Sequence, residues 1–441
     1  MSLSDLQHKL ESRTATIGVV GLGMVGLPVA CVFAQAGFNV IGVDVKAERV
    51  ATINAGQSPL TSDEPGLAEL LAEVIRNEQF HATTDYDALA RADVITINVE
   101  TPVDERHVPQ YDALRAACRS LGAVLKLGAL VIVESTIAPG TTERVVRPLL
   151  EEASGLRAHQ GFFIGACPER ITPGKLLYNL REVSRVCGGG TPETAEVMLS
   201  LYRTIVRADL DATDTLTAEL VKTTENAYRD AQIAFANEVA LICEATGADV
   251  WRVRELVNKS PGRNMHLPGA GVGGHCIPKD PWLLAHGAGG RVPLRIIPAA
   301  RAVNDAMPLH VGKLLADALH ALDKDIVGAR VAVLGFAYLE ESDDARNSPS
   351  AALVEWLRAR NVDVHIHDPF VPAYQGDVLQ AARDCDAAVV MVAHSTYRAL
   401  DLAALKAALR APLLIDGRHI FDAQQAKDAG LMYRCVGLGV R

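Results

Sequence analysis

Short apolar runs alternate with amphipathic stretches in the first third of the chain. The apolar runs at 16–20, 40–43, 94–98 and 129–133 are predicted strands. A helical pattern follows the first of them, from about 25 to 36. Because strands that alternate with helices form βαβ units, this part of the chain predicts a parallel sheet.

A long helical pattern without Pro or Gly occupies 215–246, and further helix is predicted from about 250. After residue 325 the alternation returns, with strands predicted at 330–335, 362–366, 387–392 and 413–416 and a helix at 349–360. A chain of 441 residues is too long for one compact core. We therefore predict an α/β fold with a first α/β domain at 1–210, a central helical domain at 211–320 and a second α/β domain at 321–441.

Composition and charge narrow the class of protein. The formal net charge of -10 argues against a general nucleic-acid binder, and no apolar run approaches the length of a membrane span. Residues 1–13 are polar and mixed in charge, without a hydrophobic signal core. We expect a cytoplasmic protein with neither nucleic-acid nor membrane partners. The eight cysteines are scattered without a CxxC pair, so most should be small buried residues rather than disulfide or zinc partners.

A GxGxxG motif stands between the first predicted strand and the first predicted helix. Its residues are Gly21, Leu22, Gly23, Met24, Val25 and Gly26. The glycines allow a tight turn and the close approach of a pyrophosphate, and the helix N-terminus offers N–H groups to the phosphates. A glycine turn without a ligand is the alternative, but the strand–turn–helix context favours a dinucleotide site. The first α/β domain is therefore predicted to be Rossmann-like, and the second is predicted to be Rossmann-like because its strands and helices alternate in the same way.

Asp44 closes the second predicted strand, at the distance expected for a residue that binds the cofactor ribose. A carboxylate there accepts a hydrogen bond from the 2′-hydroxyl and repels a 2′-phosphate, so NAD is favoured over NADP. Lys46 and Arg49 stand nearby and weaken that preference. Thr101, Ser135 and Thr136 follow two further strand ends, where parallel sheets bind ligands, and could reach the dinucleotide or the reacting group.

The segment GGHCIPKDP, residues 273–281, places Cys276 between a glycine pair and the neighbouring Lys279 and Asp280. This cysteine is either a packing residue or a nucleophile. A nucleophilic thiol beside a nicotinamide cofactor would let an enzyme oxidise an alcohol as far as an acid.

Lys222, Asn226 and Arg229 are spaced i, i+4, i+7 on the long predicted helix and share one face. They form either a solvated helix face or a group that holds a substrate hydroxyl, and spacing alone does not decide. His365 and His367 beside Asp368 suggest a metal site, but at a strand end they are more easily explained as surface residues. We expect no metal.

The chain resembles the nucleotide-sugar dehydrogenase family in several motifs, which occur in the same order as in that family. That family includes UDP-glucose, GDP-mannose and UDP-N-acetylhexosamine 6-dehydrogenases. The motifs run essentially end to end: the turn at 21–26, EPGL at 64–67, the segment 134–142, PER at 168–170, the Lys222/Asn226 pair, the Cys276 loop and SDDARNSP at 342–349. The segments 168–174 and 268–276, with His275 where UDP-glucose and GDP-mannose enzymes typically have Ser, resemble the UDP-N-acetylhexosamine branch.

The resemblance implies oxidation of a sugar C6 alcohol to a carboxylate with two NAD molecules in turn. Cys276 would form a thiohemiacetal and then a thioester. The residues implied in catalysis are Cys276, Lys222, Asn226, Asp280, Glu169 and Thr136. Beside the glycine turn and Asp44, those implied in cofactor binding are Arg49, Thr101, Thr136, Lys279 and Arg346. Those implied in substrate binding are Arg170, Ile171, Lys222, Asn226, Arg229, Arg263, His266, Gly273, Tyr338, Leu339 and Arg418.

The resemblance also sets the expected substrate and partner. UDP-N-acetylmannosamine is the first expectation, UDP-N-acetylglucosamine the second and UDP-glucose a weaker one. Leu339 stands where many relatives have Lys, and Ser260 and Gly262 depart from the His-Pro-Arg-Val-Asn of many UDP-N-acetylmannosamine enzymes, which leaves the sugar open. A two-electron β-hydroxyacid dehydrogenase and an NAD-binding regulator remain alternatives. The family commonly dimerises through its central helices, so a homodimer is expected.

Overall fold

The chain divides into two compact units in the computed structural model, which describes residues 2–60 and 64–439. The first unit comprises Met1–Glu225 and Lys279–Val292, and the second comprises Asn226–Pro278 and Pro293–Arg441. Among the described residues, no helix combines the length and the apolar character needed to cross a membrane.

A single mixed sheet forms the centre of the first unit. Its strands are β1 (Thr16–Val20), β2 (Asn39–Val43), β3 (Phe80–Thr83), β4 (Val94–Ile97), β5 (Leu130–Val133), β6 (Phe163–Ala166), β7 (Arg185–Gly189) and β8 (Leu210–Asp214). Their order is β3-β2-β1-β4-β5-β6-β7-β8. In this order, all neighbouring strands from β3 at the edge through β6 are paired in parallel. Strand β7 runs antiparallel to β6 and parallel to β8. The first six strands therefore end at the same edge of the sheet.

Helices cover both faces of this sheet. They are α1 (Leu3–Glu11), α2 (Gly26–Gln35), α3 (Ala47–Asn54), α4 (Leu67–Arg76), α5 (Asp112–Ala123), α6 (Arg147–Ser154), α7 (Leu176–Glu182) and α8 (Pro192–Tyr202). A 3-10 turn spans Tyr86–Arg91, and a π-helical turn spans Thr142–Val146. Neighbouring strand residues such as Val19 and Val20 pack into different apolar layers, one on each face. Burial on both faces explains why these strands are continuous apolar runs.

A parallel sheet also forms the centre of the second unit. Its strands are β9 (Arg330–Leu334), β10 (Asp363–His367), β11 (Ala387–Val390), β12 (Leu413–Asp416) and β13 (Met432–Cys435). They lie in the order β10-β9-β11-β12-β13, and all their pairings are parallel. Val333 and Leu334 again pack into opposite layers.

The remaining helices complete both units. They are α9 (Thr215–Thr246), α10 (Val250–Asn258), α11 (Asp280–Gly287), α12 (Ile296–His320), α13 (Pro349–Arg358), α14 (Val378–Ala382), α15 (Ser395–Arg398), α16 (Leu402–Ala408) and α17 (Ala423–Asp428). A 3-10 turn spans Pro372–Tyr374. Helix α9 starts in the first unit and continues into the second, and α11 belongs to the first.

The predicted fold class is confirmed, with two α/β sheets and a long central helix whose limits match the predicted 215–246. Five strands were not predicted from the sequence: β3, β6, β7, β8 and β13. Strand β8 is largely polar and exposed, so its hydrophobic pattern gives no signal. The surface interpretation of His367 is wrong, because that residue is only 2% exposed and hydrogen bonds to Tyr397 at 2.9 Å.

A buried ion pair fixes the end of β5. Glu134 and Arg185 lie 3.1 Å apart, with side chains 0% and 2% exposed. The Tyr202 hydroxyl donates to the same carboxylate oxygen at 2.7 Å. Burial raises the pKa of the Glu134 carboxyl, and Arg185 and Tyr202 oppose that shift. The loop that follows begins at Ser135, so this pair anchors its first residue.

We predict that Arg185→Met will lower the free energy of unfolding of the first unit by about 3–5 kcal/mol, because Glu134 would stay buried without its cation. The control is Arg207→Met, which breaks the exposed pair with Glu182 and should cost less than about 1 kcal/mol. Urea denaturation followed by circular dichroism measures both. Equal unfolding midpoints for the two variants would contradict the prediction.

Candidate active site

The glycine-rich turn joins the end of β1 to the start of α2. Gly21 has a φ of +87°, in the left-handed region that favours glycine. A Cβ on Gly26 would collide with the Gly21 carbonyl oxygen, whereas a Cβ on Gly23 would meet open space. Met24 and Val25 are half-buried within the turn. The backbone is thus closely packed beneath the turn and open above it, which fits the approach of a pyrophosphate.

Asp44 follows β2 and is 5% exposed. It accepts hydrogen bonds from the N–H groups of Leu22 and Lys46 and from the Arg49 guanidinium, each at 2.9 Å. An ionised carboxylate has about four acceptor positions. Asp44 therefore holds the glycine turn in place and keeps capacity for a ribose hydroxyl. Together with the open space at Gly23, these residues fit a dinucleotide.

The loops after β4 and β5 are tied to each other. The Thr101 hydroxyl donates to the Thr136 carbonyl oxygen at 2.6 Å, and the Ser135 hydroxyl donates to the Val99 carbonyl oxygen, also at 2.6 Å. Thr101 and Ser135 are buried, and Thr136 is half-buried. The structure thus brings together the three residues that were singled out at these strand ends.

Lys279 and Asp280 form a buried ion pair of 2.8 Å at the start of α11, with side chains 7% and 0% exposed. Helix α11 packs on the two strand-end loops. A Cβ on Gly287 would lie 2.7 Å from Pro139 of the loop after β5. Trp282 stacks on His107 of the loop after β4, with ring centroids 3.9 Å apart and planes 4° from parallel. Within the first unit, this ion pair therefore belongs to the same side of the sheet as Thr101 and Thr136.

The segment after β6 carries Glu169, Arg170 and Ile171. The Ile171 N–H donates to the Glu169 carboxylate. The Arg170 guanidinium binds both carboxylate oxygens of Glu225 and donates to the carbonyl and hydroxyl oxygens of Ser184 at 2.7 and 2.8 Å. Most of its five N–H groups are therefore used within the protein. The role predicted for Arg170 in substrate binding stays a prediction.

Lys222, Asn226 and Arg229 lie on one face of α9, as their spacing predicts. Lys222 is 8% exposed and Asn226 is half-buried, which contradicts a fully solvated face, whereas Arg229 is exposed. Lys222 belongs to the first unit, and the other two belong to the second.

The glycine pair before Cys276 packs against the loop that follows β9. A Cβ on Gly273 would lie 2.7 Å from the Asn347 carbonyl oxygen, and one on Gly274 would lie 2.6 Å from the Tyr338 ring. Gly274 also has a φ of +90° and donates its N–H to the Arg346 carbonyl at 3.0 Å. Both positions therefore require glycine. Cys276 itself is half-buried, whereas the other seven cysteines are buried.

The electrostatic surroundings of Cys276 come from the same loop. Burial raises the pKa of the Tyr338 hydroxyl to about 12, and the nearby Asp344 carboxylate and Cys276 thiol add to the shift. Its hydrogen bond to Asp344 raises the pKa of the Arg346 guanidinium, and Cys276 contributes in the same direction. Arg346, predicted as a cofactor-binding residue, thus lies near the thiol within the second unit, as the cation of an ion pair with Asp344.

Arg418 follows β12 and reaches the segment before the glycine pair. Its guanidinium donates to the carbonyl oxygens of Met391 at 2.7 Å and Gly271 at 3.3 Å. Burial lowers its pKa, although the group stays a strong base. The hydrogen bond to the Gly271 carbonyl holds Arg418 against the Cys276 loop, and the predicted contact with a nucleotide stays a prediction.

The other predicted substrate residues of the second unit fall into different surroundings. Burial lowers the pKa of His266, and the nearby Arg229 and Arg254 guanidinium groups lower it further, so Arg229 and His266 are brought together. Arg263 is exposed and donates to the Pro261 carbonyl at 2.9 Å. Leu339 is half-buried beside Tyr338.

The predicted site residues divide between the two units. The first contains the glycine turn, Asp44, Arg49, Thr101, Thr136, Glu169, Arg170, Ile171, Lys222, Lys279 and Asp280. The second contains Asn226, Arg229, Arg263, His266, Gly273, Cys276, Tyr338, Leu339, Arg346 and Arg418. Among the described residues, no group of three or more His, Cys, Asp or Glu side chains is arranged to hold a metal ion.

Two carboxylates near these loops were not predicted to have a role. Glu64 is 7% exposed and accepts the N–H groups of Gly174 at 2.8 Å and Leu176 at 3.3 Å, which fixes the segment after Ile171. Glu219, on α9, accepts N–H groups of the loop after β5. The EPGL motif drew attention to Glu64, but the segment that Glu64 binds lies 110 residues away in the chain.

Three family models match successive parts of the chain. Residues 15–206 match the NAD binding domain of the UDP-glucose/GDP-mannose dehydrogenase family. Residues 216–306 match its central domain, and residues 332–423 match its UDP binding domain.

Individual relatives are similar over nearly the whole chain. A UDP-N-acetyl-D-mannosamine dehydrogenase from Pyrococcus horikoshii is 37% identical over 96% of this chain and 99% of its own length. A solved structure of a UDP-D-ManNAc dehydrogenase from that organism is 36% identical, with a TM-score of 0.91 over 96% of this chain and 99% of that one. The structure of an NDP-N-acetyl-D-galactosaminuronic acid dehydrogenase from Methanosarcina mazei Go1 is also 36% identical, with a TM-score of 0.87 over 100% of this chain and 98% of that one.

The dinucleotide turn at the edge of the first sheet and the thiol loop of the second unit therefore occur in a chain that matches all three domains of one enzyme family in order. The chain belongs to the UDP-glucose/GDP-mannose dehydrogenase family and is an NAD-dependent nucleotide-sugar dehydrogenase.

Proposed function

We propose that the enzyme oxidises the C6 hydroxyl of a UDP-N-acetylhexosamine to a carboxylate, with UDP-N-acetyl-D-mannosamine as its substrate and two NAD molecules consumed in turn. The observation that carries this proposal is Cys276. It is half-buried between a glycine pair and a helix start, whereas the other seven cysteines are buried. Relatives named UDP-N-acetyl-D-mannosamine dehydrogenase support the choice of sugar.

The predicted division of the chain gives each segment a role in this proposal. Residues 1–210 bind NAD, residues 211–320 provide catalytic and dimer contacts, and residues 321–441 bind the UDP-sugar. The matches to family models for NAD-binding, central and UDP-binding domains support these roles.

The residues of the first unit act in the first oxidation. The glycine turn and Asp44 would hold the dinucleotide, with Thr101 at the neighbouring strand end, and NAD bound there would supply the acceptor for the C6 hydride. Lys222, or a water held by Lys222 and Asp280, takes the hydroxyl proton, so the alcohol becomes an aldehyde. The burial of Lys222 and of the Lys279–Asp280 pair supports this role, since a dry site strengthens electrostatic interactions.

Cys276 acts in the second oxidation. Its thiolate adds to the aldehyde carbon to give the oxyanion of a thiohemiacetal. Loss of hydride from this oxyanion gives a thioester, and a second NAD would supply the hydride acceptor. Lys222 and Asn226 stabilise the oxyanion. Water then attacks the thioester, and the carboxylate leaves while the thiol is regenerated. Glu169 and Asp280 are the proposed activators of that water, with Thr136 as its positioning group.

Cations favour the thiolate form of a cysteine. Arg346 near Cys276 supports the nucleophile role as a source of positive charge, which its ion pair with Asp344 offsets in part. A cytoplasmic location is also proposed, since reducing conditions there would keep a catalytic thiol free.

Substrate recognition is proposed for the remaining polar residues. Arg170, Ile171, Arg229, Arg263, His266, Gly273, Tyr338, Leu339 and Arg418 would line the UDP-sugar site, and Arg49, Lys279 and Arg346 would contact the cofactor. The Arg229 and Arg254 guanidinium groups near His266 support a site for a diphosphate there. Leu339 stands where many relatives have Lys, so the choice among N-acetylhexosamines rests on the other residues. UDP-N-acetylgalactosamine is the second candidate, because the chain is similar to the Methanosarcina NDP-N-acetyl-D-galactosaminuronic acid dehydrogenase.

A homodimer formed through α9 is also proposed. Tyr228, Phe235 and Ile242 are 63%, 60% and 56% exposed and lie seven residues apart on that helix. A spacing of seven keeps three side chains on one side of a helix, as in helix pairs that associate.

The first test is stoichiometric. With NAD and a panel of UDP-ManNAc, UDP-GlcNAc, UDP-GalNAc and UDP-glucose, UDP-ManNAc should react fastest, with about two NADH formed per sugar. NADH absorbance and the recovered sugar acid measure this ratio. A stable limit of one NADH per sugar would contradict the four-electron proposal. A faster reaction with another sugar would show that UDP-ManNAc is not the preferred substrate.

The second test concerns the thiol. Cys276→Ala should abolish formation of the acid, because no covalent intermediate can form, while NAD binding measured by calorimetry stays within about twofold of the wild type. Cys243→Ala replaces a buried cysteine of the same unit and should retain acid formation. Acid accumulating at the normal rate in the Cys276 variant would show that this thiol is not the nucleophile.

The third test concerns the dimer. Phe235→Lys should shift the protein from dimer to monomer in analytical ultracentrifugation, because a charge would be buried in the interface. Leu127→Lys alters a residue of equal exposure, 60%, in the first unit and should leave the dimer intact. A wild-type monomer, or a Phe235→Lys dimer of unchanged affinity, would contradict the proposed interface.

A further inference from the structure

The loop after β5, residues 135–142, is held by side chains from several other elements. The Tyr111 hydroxyl, just before α5, accepts the N–H of Ala138 at 2.9 Å. Thr101 binds the Thr136 carbonyl, as described above. Glu219 of α9 accepts the N–H groups of Gly140 and, at 2.8 Å, of Thr142. The conformation of this loop therefore depends on groups far from it in the chain.

Glu219 satisfies donors that the backbone itself leaves without a helical acceptor. The π-helical turn starts at Thr142, and the first N–H groups of a helical segment have no partner within it. A carboxylate at that end is also favoured by the helix dipole. Glu219 is only 1% exposed, and burial raises its pKa while the hydrogen bonds from Thr142 and Gly140 oppose the shift.

The position of Glu219 on α9 connects this loop to a proposed catalytic residue. Lys222 follows Glu219 by three residues and lies on the same side of the helix. Thr136 precedes Gly140 by four residues in the loop. Both carboxylate oxygens of Glu219 are used for the loop, so one side chain joins the segment of Thr136 to the helix turn of Lys222.

We propose that Glu219 is a positioning residue for hydride transfer, which holds the Thr136 loop and Lys222 in a single relative geometry. This inference rests on the proposed function, because it takes Thr136 and Lys222 as parts of the reacting site. Glu219 itself touches neither substrate nor cofactor in this role. Misplacing a reacting group by about 1 Å costs about 100-fold in rate, so the chemical step is where the role becomes visible.

The experiment compares Glu219→Ala, Glu219→Gln and Glu143→Gln in the full chain. Glu143 lies in the same π-helical turn but forms a partly exposed pair with Arg147 at 2.8 Å, which makes it the matched control. Rapid mixing with NAD and the UDP-sugar that the wild type uses gives the rate of the first NADH formed. Steady-state kinetics give kcat and the KM for the sugar, and thermal unfolding gives Tm.

We expect the first hydride transfer to fall about 10- to 100-fold in Glu219→Ala, with the KM for the sugar changed less than threefold. Glu219→Gln should fall less, because its amide oxygen still accepts one N–H while its amide nitrogen faces the other. Glu143→Gln should stay within twofold of the wild type. The graded loss in kcat at nearly constant KM is the signature of positioning.

A lowered Tm with an unchanged hydride-transfer rate in Glu219→Ala would overturn the proposal and leave Glu219 a purely structural clamp. An equal loss in Glu143→Gln would overturn it as well. If the Ala variant does not fold, the Gln variant decides, and a normal rate there overturns the role. An inactive wild type would overturn both proposals, whereas an active wild type with normal Glu219 variants overturns this one alone.

Discussion

The constraint on which the site depends is the hydrogen bonding of backbone N–H groups beyond the carboxyl ends of the parallel strands. These loops are buried in part, and a buried N–H without an acceptor costs about as much as a lost hydrogen bond. The chain meets the constraint with buried carboxylates that each accept two or more N–H groups. They are Asp44, Glu64, Glu219, Asp368 and Asp416. Charge-assisted bonds of this kind are stronger than neutral ones, so they fix loops that regular structure cannot.

Asp368 shows how far such a carboxylate reaches. It is fully buried and accepts the N–H groups of Phe336 and Ala337, which directly precede Tyr338, and those of Phe370 and Val371. Burial acts to raise its pKa, but the His394 hydrogen bond and these N–H groups outweigh burial and hold the pKa well below the usual range. The loop that packs on the Gly273–Gly274 pair is therefore anchored from the neighbouring strand end.

The fold and part of the site could be predicted because their signals are local in sequence. The glycine turn, Asp44 and the long helix each occupy one continuous segment, and the glycine pair next to Cys276 is visible as a pair. Glu219 and Glu64 could not be found in this way, because their partners lie 77 and 110 residues away in the chain. Spacing on α9 made Lys222 and Asn226 candidates without deciding their role, whereas Glu219 three residues earlier looks like an ordinary helix-favouring residue until its burial is known.

The loop that carries Cys276 depends on the absence of side chains, whereas the loops described above depend on carboxylate side chains that bind them. Gly273 and Gly274 let the chain pass within contact of the Tyr338 ring, where any side chain would push the backbone away. That close approach brings Cys276 near Arg346 and leaves it half-buried, while the other cysteines pack in the apolar layers. A nucleophile that captures an aldehyde must be reachable by it and yet keep it from water between two oxidations. Partial exposure in a loop that only glycines can form makes this thiol, unlike the seven buried ones, reachable by such an aldehyde, which is the physical reason why Cys276 suits the proposed covalent role.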